Sequence, residues 1–243
     1  MIVDGWFDFA IRDPGPAGSV NGGRNSVRGI VPHSAEGHWA TLEDLHDFHW
    51  SRATNPDPRK RASWGATNLK DGRFVQHYSV WAQTWTSGSA YPNNNFFAFE
   101  NEGVAGESLT QAQIDNIIRV GRDLIALQGW LPRRPRNVED TTASLYEHNE
   151  CDRWGANATA CPSGRIPWNI IVPALQGSGR MYTDKEIDAK IGAVLAALVD
   201  AVGHIEDTNT KLEALQASTD FLIKVVNHLA PRVAALETFN GGK

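Results

Sequence analysis

SVRGIVPH at residues 26–33, with FFAFENEG at residues 96–103, decides the fold of this chain. The first is a short apolar run after a Gly/Asn-rich turn, and both have the length and composition of buried strands. Around them, residues 41–52 carry Leu42, Leu45 and Phe48 at helical spacing with acids early, which predicts a short amphipathic helix. NPDP at 55–58 is a loop. ASWGATN (62–68) and RFVQHYS (73–79) flank the turn LKDG and read as a hairpin. Thr110 with Gln113 forms a capping box that opens a helix through Gln128, with Ile114, Ile117, Ile118, Gly121, Leu124 and Ile125 on its inner face. Residues 145–148 read as a last strand and 167–175 as a final short helix. Strands interspersed with helices predict an α/β domain, a mixed central β-sheet flanked by helices.

The 243 residues, 41% hydrophobic and 21% charged, suffice for one ordinary core or two small ones and exclude wholesale disorder. A net charge of −5 argues against a nucleic-acid partner, which usually needs a strongly basic face. No run reaches about 18 apolar residues, so membrane insertion is not expected. MIVDGWFDFAIRDPGP at residues 1–16 has neither the basic flank nor the apolar run of a signal peptide, which points to a reducing cytoplasm. Two cysteines, Cys151 and Cys161, make no disulfide scaffold. Nine tryptophans favour carbohydrate or peptide recognition.

Composition shifts near residue 180: all nine tryptophans and eleven of the twelve prolines precede Met181. The expected organisation is an extension at 1–23, a globular domain at 24–180 and a helical tail at 181–243. Thr183 and Glu186 cap the tail. From Ile191 and Val194 through Leu212 and Leu215 to Val233 and Leu236, an apolar seam alternates spacings of three and four over seven heptads. A 3.5-residue period of that length predicts a left-handed coiled coil. The expectation is a homo-oligomer through residues 183–238, with a helical hairpin folded back on the domain as the alternative. Pro231 should kink or fray the last turns.

The residues able to carry chemistry are few. His33 and His148 each end an expected strand, where a polar ring emerges at the rim of a sheet. Cys161 lies in TACPSGRIPW, a turn fixed by Pro162 and Gly164. Each has an ordinary reading as a hydrogen-bonded structural histidine or a small buried thiol, and the spacing also permits a 151–161 disulfide. Two histidines and a thiolate would equally make a catalytic zinc set, three protein ligands with the fourth position open.

GIVPHSAEG, ASWGATNLKDGRFVQ, FAFENEG, LYEHNE and TACPSGRIPW occur in the order seen in zinc-dependent N-acetylmuramoyl-L-alanine amidases, which this chain resembles over roughly residues 24–175. That superfamily includes peptidoglycan recognition proteins and many phage endolysins, and GIVPHSAEG looks most like the endolysin form. The resemblance makes 24–180 a zinc amidase domain. It implies Zn2+ held by His33, His148 and Cys161, and Glu100 assisting catalysis beside the metal. Thr159 falls where the family stabilises the oxyanion. Trp64 falls at or near a position often held by tyrosine, a departure because indole donates a hydrogen bond but accepts no proton. The implied reaction is hydrolysis, by zinc-activated water, of the amide between N-acetylmuramic acid and L-alanine in bacterial peptidoglycan. The implied location is the host bacterial cytoplasm before holin-type release to the wall. Two other classes stand beside this one: a non-catalytic peptidoglycan-binding protein, and a virion structural protein assembled through its tail. Of the remaining candidates, Glu102 reads as an acid on the opposite strand face. His38, His46, His49 and His77 read as surface or supporting residues. Trp39, Trp81, Trp85 and Trp154 line a groove or fill the core, and Trp168 packs under the metal loop.

Overall fold

A computed structural model of the chain describes residues 1–178 together with Gln216, Ser218, Thr219 and Ile223. The chain divides into two units, Met1–Arg180 and Met181–Lys243. The predicted coiled-coil seam, Thr219 apart, lies outside the described residues.

The first unit is built in chain order from β1 (Ile2–Val3), β2 (Trp6–Phe7), β3 (Ile11–Arg12), β4 (Val20–Asn21), β5 (Ile30–Ser34), α1 (Leu42–Ala53), β6 (Ala66–Asn68), β7 (Phe74–Gln76), β8 (Gln83–Thr84), α2 (Ala90–Asn95), β9 (Phe97–Asn101), α3 (Gln111–Gln128) and α4 (Trp168–Ser178). Its central sheet runs β3-β7-β6-β9-β5. β5, β9 and β6 are mutually parallel, β6 and β7 form the antiparallel hairpin, and β3 lies parallel to β7. The mixed sheet and flanking helices match the expected architecture. The first 23 residues are more than an extension. They supply an edge strand of the main sheet, and β4 pairs with β8. Short two-residue strands carry too little alternation to be read from sequence.

Side-chain alternation divides the sheet. Ile30, Ala66, Phe74, Phe97 and Phe99 face one core with Ile117, Val120 and Leu124 of α3 and Ile171 and Leu175 of α4. Each of these aliphatic side chains contributes about 1.5–3 kcal/mol on full burial. Val31 and Ala98 face the other side, where Leu45 of α1 packs on Leu69 and Val75. The predicted capping box of Thr110 with Gln113 forms on α3, a second joins Thr41 to Asp44 on α1, and the one expected at Thr183 and Glu186 lies outside the described residues. Gly129, left-handed at φ 70°, stops α3. Among the described residues no helix is long and apolar enough to cross a membrane.

The segment read as a last strand departs from expectation. Only a single parallel bridge, Ile30 to Leu145, forms. The chain then enters a 3-10 turn, His148–Trp154, because Glu150 caps its start, its carboxylate accepting from Glu147 N at 2.7 Å while Glu150 N donates to Glu147 O. Ile30 donates to Ser144 O at 2.9 Å and Tyr146 donates to Ile30 O at 3.1 Å. That approach requires a glycine next door, since a Cβ on Gly29 would overlap the Ser144 carbonyl oxygen. Gly29→Ala is therefore expected to destabilise the domain by about 1–3 kcal/mol or more, because backbone rather than a flexible side chain must yield. An unchanged urea midpoint for that variant would contradict the packing.

Candidate metal centre and cavity

The period of two that buries Val31 and Ala98 also places His33 and Glu100 on their face. The parallel register sets His33 directly beside Glu100. His33 Nδ1 lies 3.8 Å from Glu100 Oε1 and 3.7 Å from Cys161 Sγ. The rings of His33 and His148 sit 4.5 Å apart. One donor atom from each of His33, His148 and Cys161 falls within 4.8 Å of the others, the sole such cluster among the described residues. Tetrahedral zinc with two nitrogens and one sulfur separates its donors by roughly 3.3–3.6 Å, so this set is close to what the ion requires.

Three separate segments deliver these ligands. His33 is 2% exposed at the end of β5, its Nε2 3.3 Å from Ser87 Oγ and its carbonyl taking a 2.8 Å bond from Asn101 Nδ2. That contact on the far nitrogen leaves Nδ1 to face the cluster, as an outer-shell partner of a metal-ligating histidine does. His148 opens the 3-10 turn, secured from below by Trp168 Nε1 donating to Glu147 Oε1 at 2.6 Å. Cys161 is carried by a loop that Arg165 fastens. The Arg165 guanidinium donates to Ser34 Oγ at 2.7 Å, Asn101 O at 3.2 Å and Glu102 O at 2.8 Å, joining the ends of β5 and β9. Ser34 N also donates to Cys161 Sγ at 3.2 Å. Both cysteines are free, so the 151–161 disulfide is not present.

The electrostatics ask for a cation. Burial pushes the Cys161 thiol up to about 12 and the Glu100 carboxyl up to about 8. Glu100 Oε2 is buried with no hydrogen-bond partner. Burial, then the neighbouring His148, holds His33 well below the usual imidazole range, so its ring is neutral as a ligand must be. A divalent ion would stabilise the thiolate and the carboxylate together, and the His2Cys donor set suits zinc.

The other candidates separate. Thr159 Oγ1 accepts from Cys161 N at 3.2 Å, beside the cluster on the same loop. Trp64 is 3% exposed, and its indole N–H donates to Thr67 Oγ1 at 2.8 Å. That bond engages the single donor of Trp64, and its ring forms a wall. That wall belongs to a cavity of about 230 Å³ lined also by Trp39, Phe48, Arg52, Thr86 and Glu100. Trp154 sits instead in a core with Tyr91, Phe96 and Tyr146. Glu102 does not occupy an opposite strand face: β9 ends at Asn101, and a period of two would set residue 102 on the same face as Glu100; its carboxylate instead accepts from Lys70 N at 2.8 Å. Ser87 and Arg165 went unrecognised in the sequence. Arg165 lies within TACPSGRIPW, where proximity to Cys161 is a usable signal, whereas Ser87 has none.

Behind Trp64, His49 and His77 are fully buried rather than at the surface, their rings stacked at 4.0 Å and 17°. His77 lies between Thr67 Oγ1 at 3.0 Å and Asp13, and neither ring nitrogen of His49 has a partner. Burial, then the neighbouring His77, pushes His49 down to about 2, against an ordinary value of 6.5. The unfolded chain therefore takes up this proton first as pH falls. The stability that depends on neutral His49 is complete above pH 6.5 and declines below it, by about 1.4 kcal/mol per pH unit for one proton. His49→Phe should flatten the pH dependence of the urea midpoint between pH 6 and roughly pH 4. An equal slope in both proteins would contradict the burial argument.

Residues 23–164 match the family model described as N-acetylmuramoyl-L-alanine amidase. No curated protein matches the chain. Among solved structures, the chain is similar to a selenomethionine AmpD derivative at 16% identity, covering 73% of this chain and 98% of that one with a TM-score of 0.52. It is also similar to the Staphylococcus aureus hydrolase AmiA in complex with its ligand, at 15% identity over 70% of this chain and 82% of that one, TM-score 0.51. At such identities these two likenesses concern the fold.

Proposed function

The chain belongs to the N-acetylmuramoyl-L-alanine amidase family, and from that premise we propose that it is a zinc-dependent peptidoglycan hydrolase of the endolysin type. In this reading it cleaves the amide between the lactyl group of N-acetylmuramic acid and L-alanine. The observation that carries the proposal is the convergence of His33, His148 and Cys161 beside the unpartnered carboxyl of Glu100.

His33, His148 and Cys161 would hold the ion. When bound, zinc supplies Lewis-acid polarisation of the scissile carbonyl and brings a water toward neutral pKa. The chain's own groups do the rest. Glu100, shielded from bulk solvent and close to His33, takes a proton from the attacking water and returns it to the leaving amine. Thr159 has a hydroxyl that already accepts from Cys161 N, and it keeps its own proton to donate to the developing oxyanion. Trp64 and Trp39 wall the adjoining cavity and limit the access of water.

The endolysin assignment rests on GIVPHSAEG and carries with it action on the wall after release from the host cytoplasm. The apolar seam of the tail supports self-association through residues 183–238, which would supply avidity for an insoluble polymer. The decisive experiment is mass analysis of purified wall after digestion, with metal content measured per chain. New L-alanine amino termini matched by free lactyl carboxyls are the expected products. Cut glycan strands, or peptide cross-links opened with the lactyl amide intact, would refute the assignment.

A further inference from the structure

Arg52 lies in the last turn of α1 and lines the same cavity as Glu100. Its backbone is fixed by Ala62 N donating to Arg52 O at 3.2 Å, while its side chain is exposed. Every other arginine among the described residues has a partner for its side chain. Some pair with acids, as Arg73 does with Asp71, Arg133 with Asp140 and Arg134 with Glu150. Others bond carbonyls or lie over aromatic rings, as Arg153 and Arg24 do. The Arg52 guanidinium alone has neither, and it acts only through its charge on the Glu100 carboxyl of the same cavity. An arginine left without a hydrogen bond or ion pair in a cavity lined also by Trp39 and Phe48, whose rings are tilted 53° to each other at 5.6 Å, is arranged to receive something.

We propose that Arg52 is a specificity-determining residue that binds a free carboxylate on the peptide side of the cleaved bond. This rests on the amidase reading and deepens it. Guanidinium presents a planar fork of donors that matches a carboxylate in two parallel hydrogen bonds. The anion comes from the peptide because the lactyl carboxyl of the glycan side is itself the amide that is cut. The cavity, about 230 Å³, is smaller than a typical pocket for a drug-sized ligand and suits a fragment of one chain rather than a disaccharide. Glu100 is one of its walls, so the carboxylate is held close to the reacting amide. The residue that follows L-alanine in a stem peptide is a glutamate joined through its side chain. Its main-chain carboxyl is either free or amidated, and Arg52 distinguishes the two.

The test uses the full chain and two synthetic substrates, N-acetylmuramoyl-L-alanyl-D-γ-glutamyl-L-lysine amide with the glutamyl α-carboxylate free or as its carboxamide. Wild-type enzyme should favour the free acid. Arg52→Gln should lower kcat/KM for the acid about 10- to 100-fold, mostly through KM, and leave the carboxamide nearly unchanged. Arg52→Lys should recover part of the preference, since an ammonium cannot fork. Calorimetry with the released peptides, L-alanyl-D-γ-glutamyl-L-lysine amide in both forms, reads the same contact without turnover. Equal handling of the two forms by the wild type, or equal loss on both in Arg52→Gln, overturns the proposal. Carboxylate-dependent peptide binding without cleavage of either substrate strikes the amidase reading alone.

Discussion

Cys161→Ser is expected to lower turnover on purified cell wall by about three orders of magnitude or more while leaving the domain folded, since the Lewis acid accounts for several kcal/mol of barrier. The Cys161 side chain anchors the loop through a sulfur that accepts from Ser34 N, where a serine oxygen can accept too, and its carbonyl keeps the 2.8 Å bond from Asn149 N whatever the side chain. Arg165 continues to fasten the same loop to Ser34, Asn101 and Glu102. What is lost is the soft anionic donor, so zinc content should fall well below one per chain. Chelation of the wild type should reproduce the loss and added zinc should reverse it. Full activity in a chelator-treated protein shown to be free of metal would remove the ion from the mechanism altogether.

Glu100→Gln separates binding of the ion from proton transfer. The carboxamide has nearly the same shape and neither charge nor proton to exchange. Glu100 Oε1 stands 3.8 Å from His33 Nδ1 and is not one of the three clustered donors. The variant should therefore keep its zinc, with KM little altered, and lose about 10²- to 10⁴-fold in kcat, the usual share of a positioned general acid–base. A matching fall in zinc content would recast Glu100 as a ligand. Undiminished kcat would transfer the proton-handling role to another group, with Thr159 excluded because a hydroxyl is far too weak a base at neutral pH.

The two outcomes are coupled through one arrangement. His33 and Glu100 are register partners on adjacent parallel strands, so whatever shifts β5 against β9 displaces the histidine relative to the acid. Gly29, by letting residues 144–146 lie against the start of β5, sets the distance to His148. Stability and catalysis therefore share structural elements here, and destabilising changes near Gly29 should be felt at the metal centre.

Much was legible in the order of residues. Short apolar runs marked β5 and β9 as buried strands, LKDG marked the β6–β7 hairpin, and the capping box at Thr110 marked the start of α3 to the residue. These are local signals: side-chain period, turn chemistry and caps act over a few residues and survive without tertiary context. The ligand trio and Glu100 were legible only through their motifs, because separations along the chain impose no geometry. The strand predicted at 145–148 failed because the Glu150 carboxylate capping Glu147 N outweighed four residues of weak β preference. The edge strand β3 was missed because two residues hold no pattern.

The sequence by itself determined which faces of the long elements are apolar, where they begin and end, and that His33 shares a face with Val31 and Glu100 with Ala98. Only the tertiary structure decided that His148 and Cys161 arrive at that face, that Trp64 turns its N–H to Thr67, and that Arg52 is left without a partner beside Glu100. Those outcomes depend on contacts between segments distant in the chain, where loop geometry and competition for hydrogen bonds choose the partner, and no local periodicity encodes that choice.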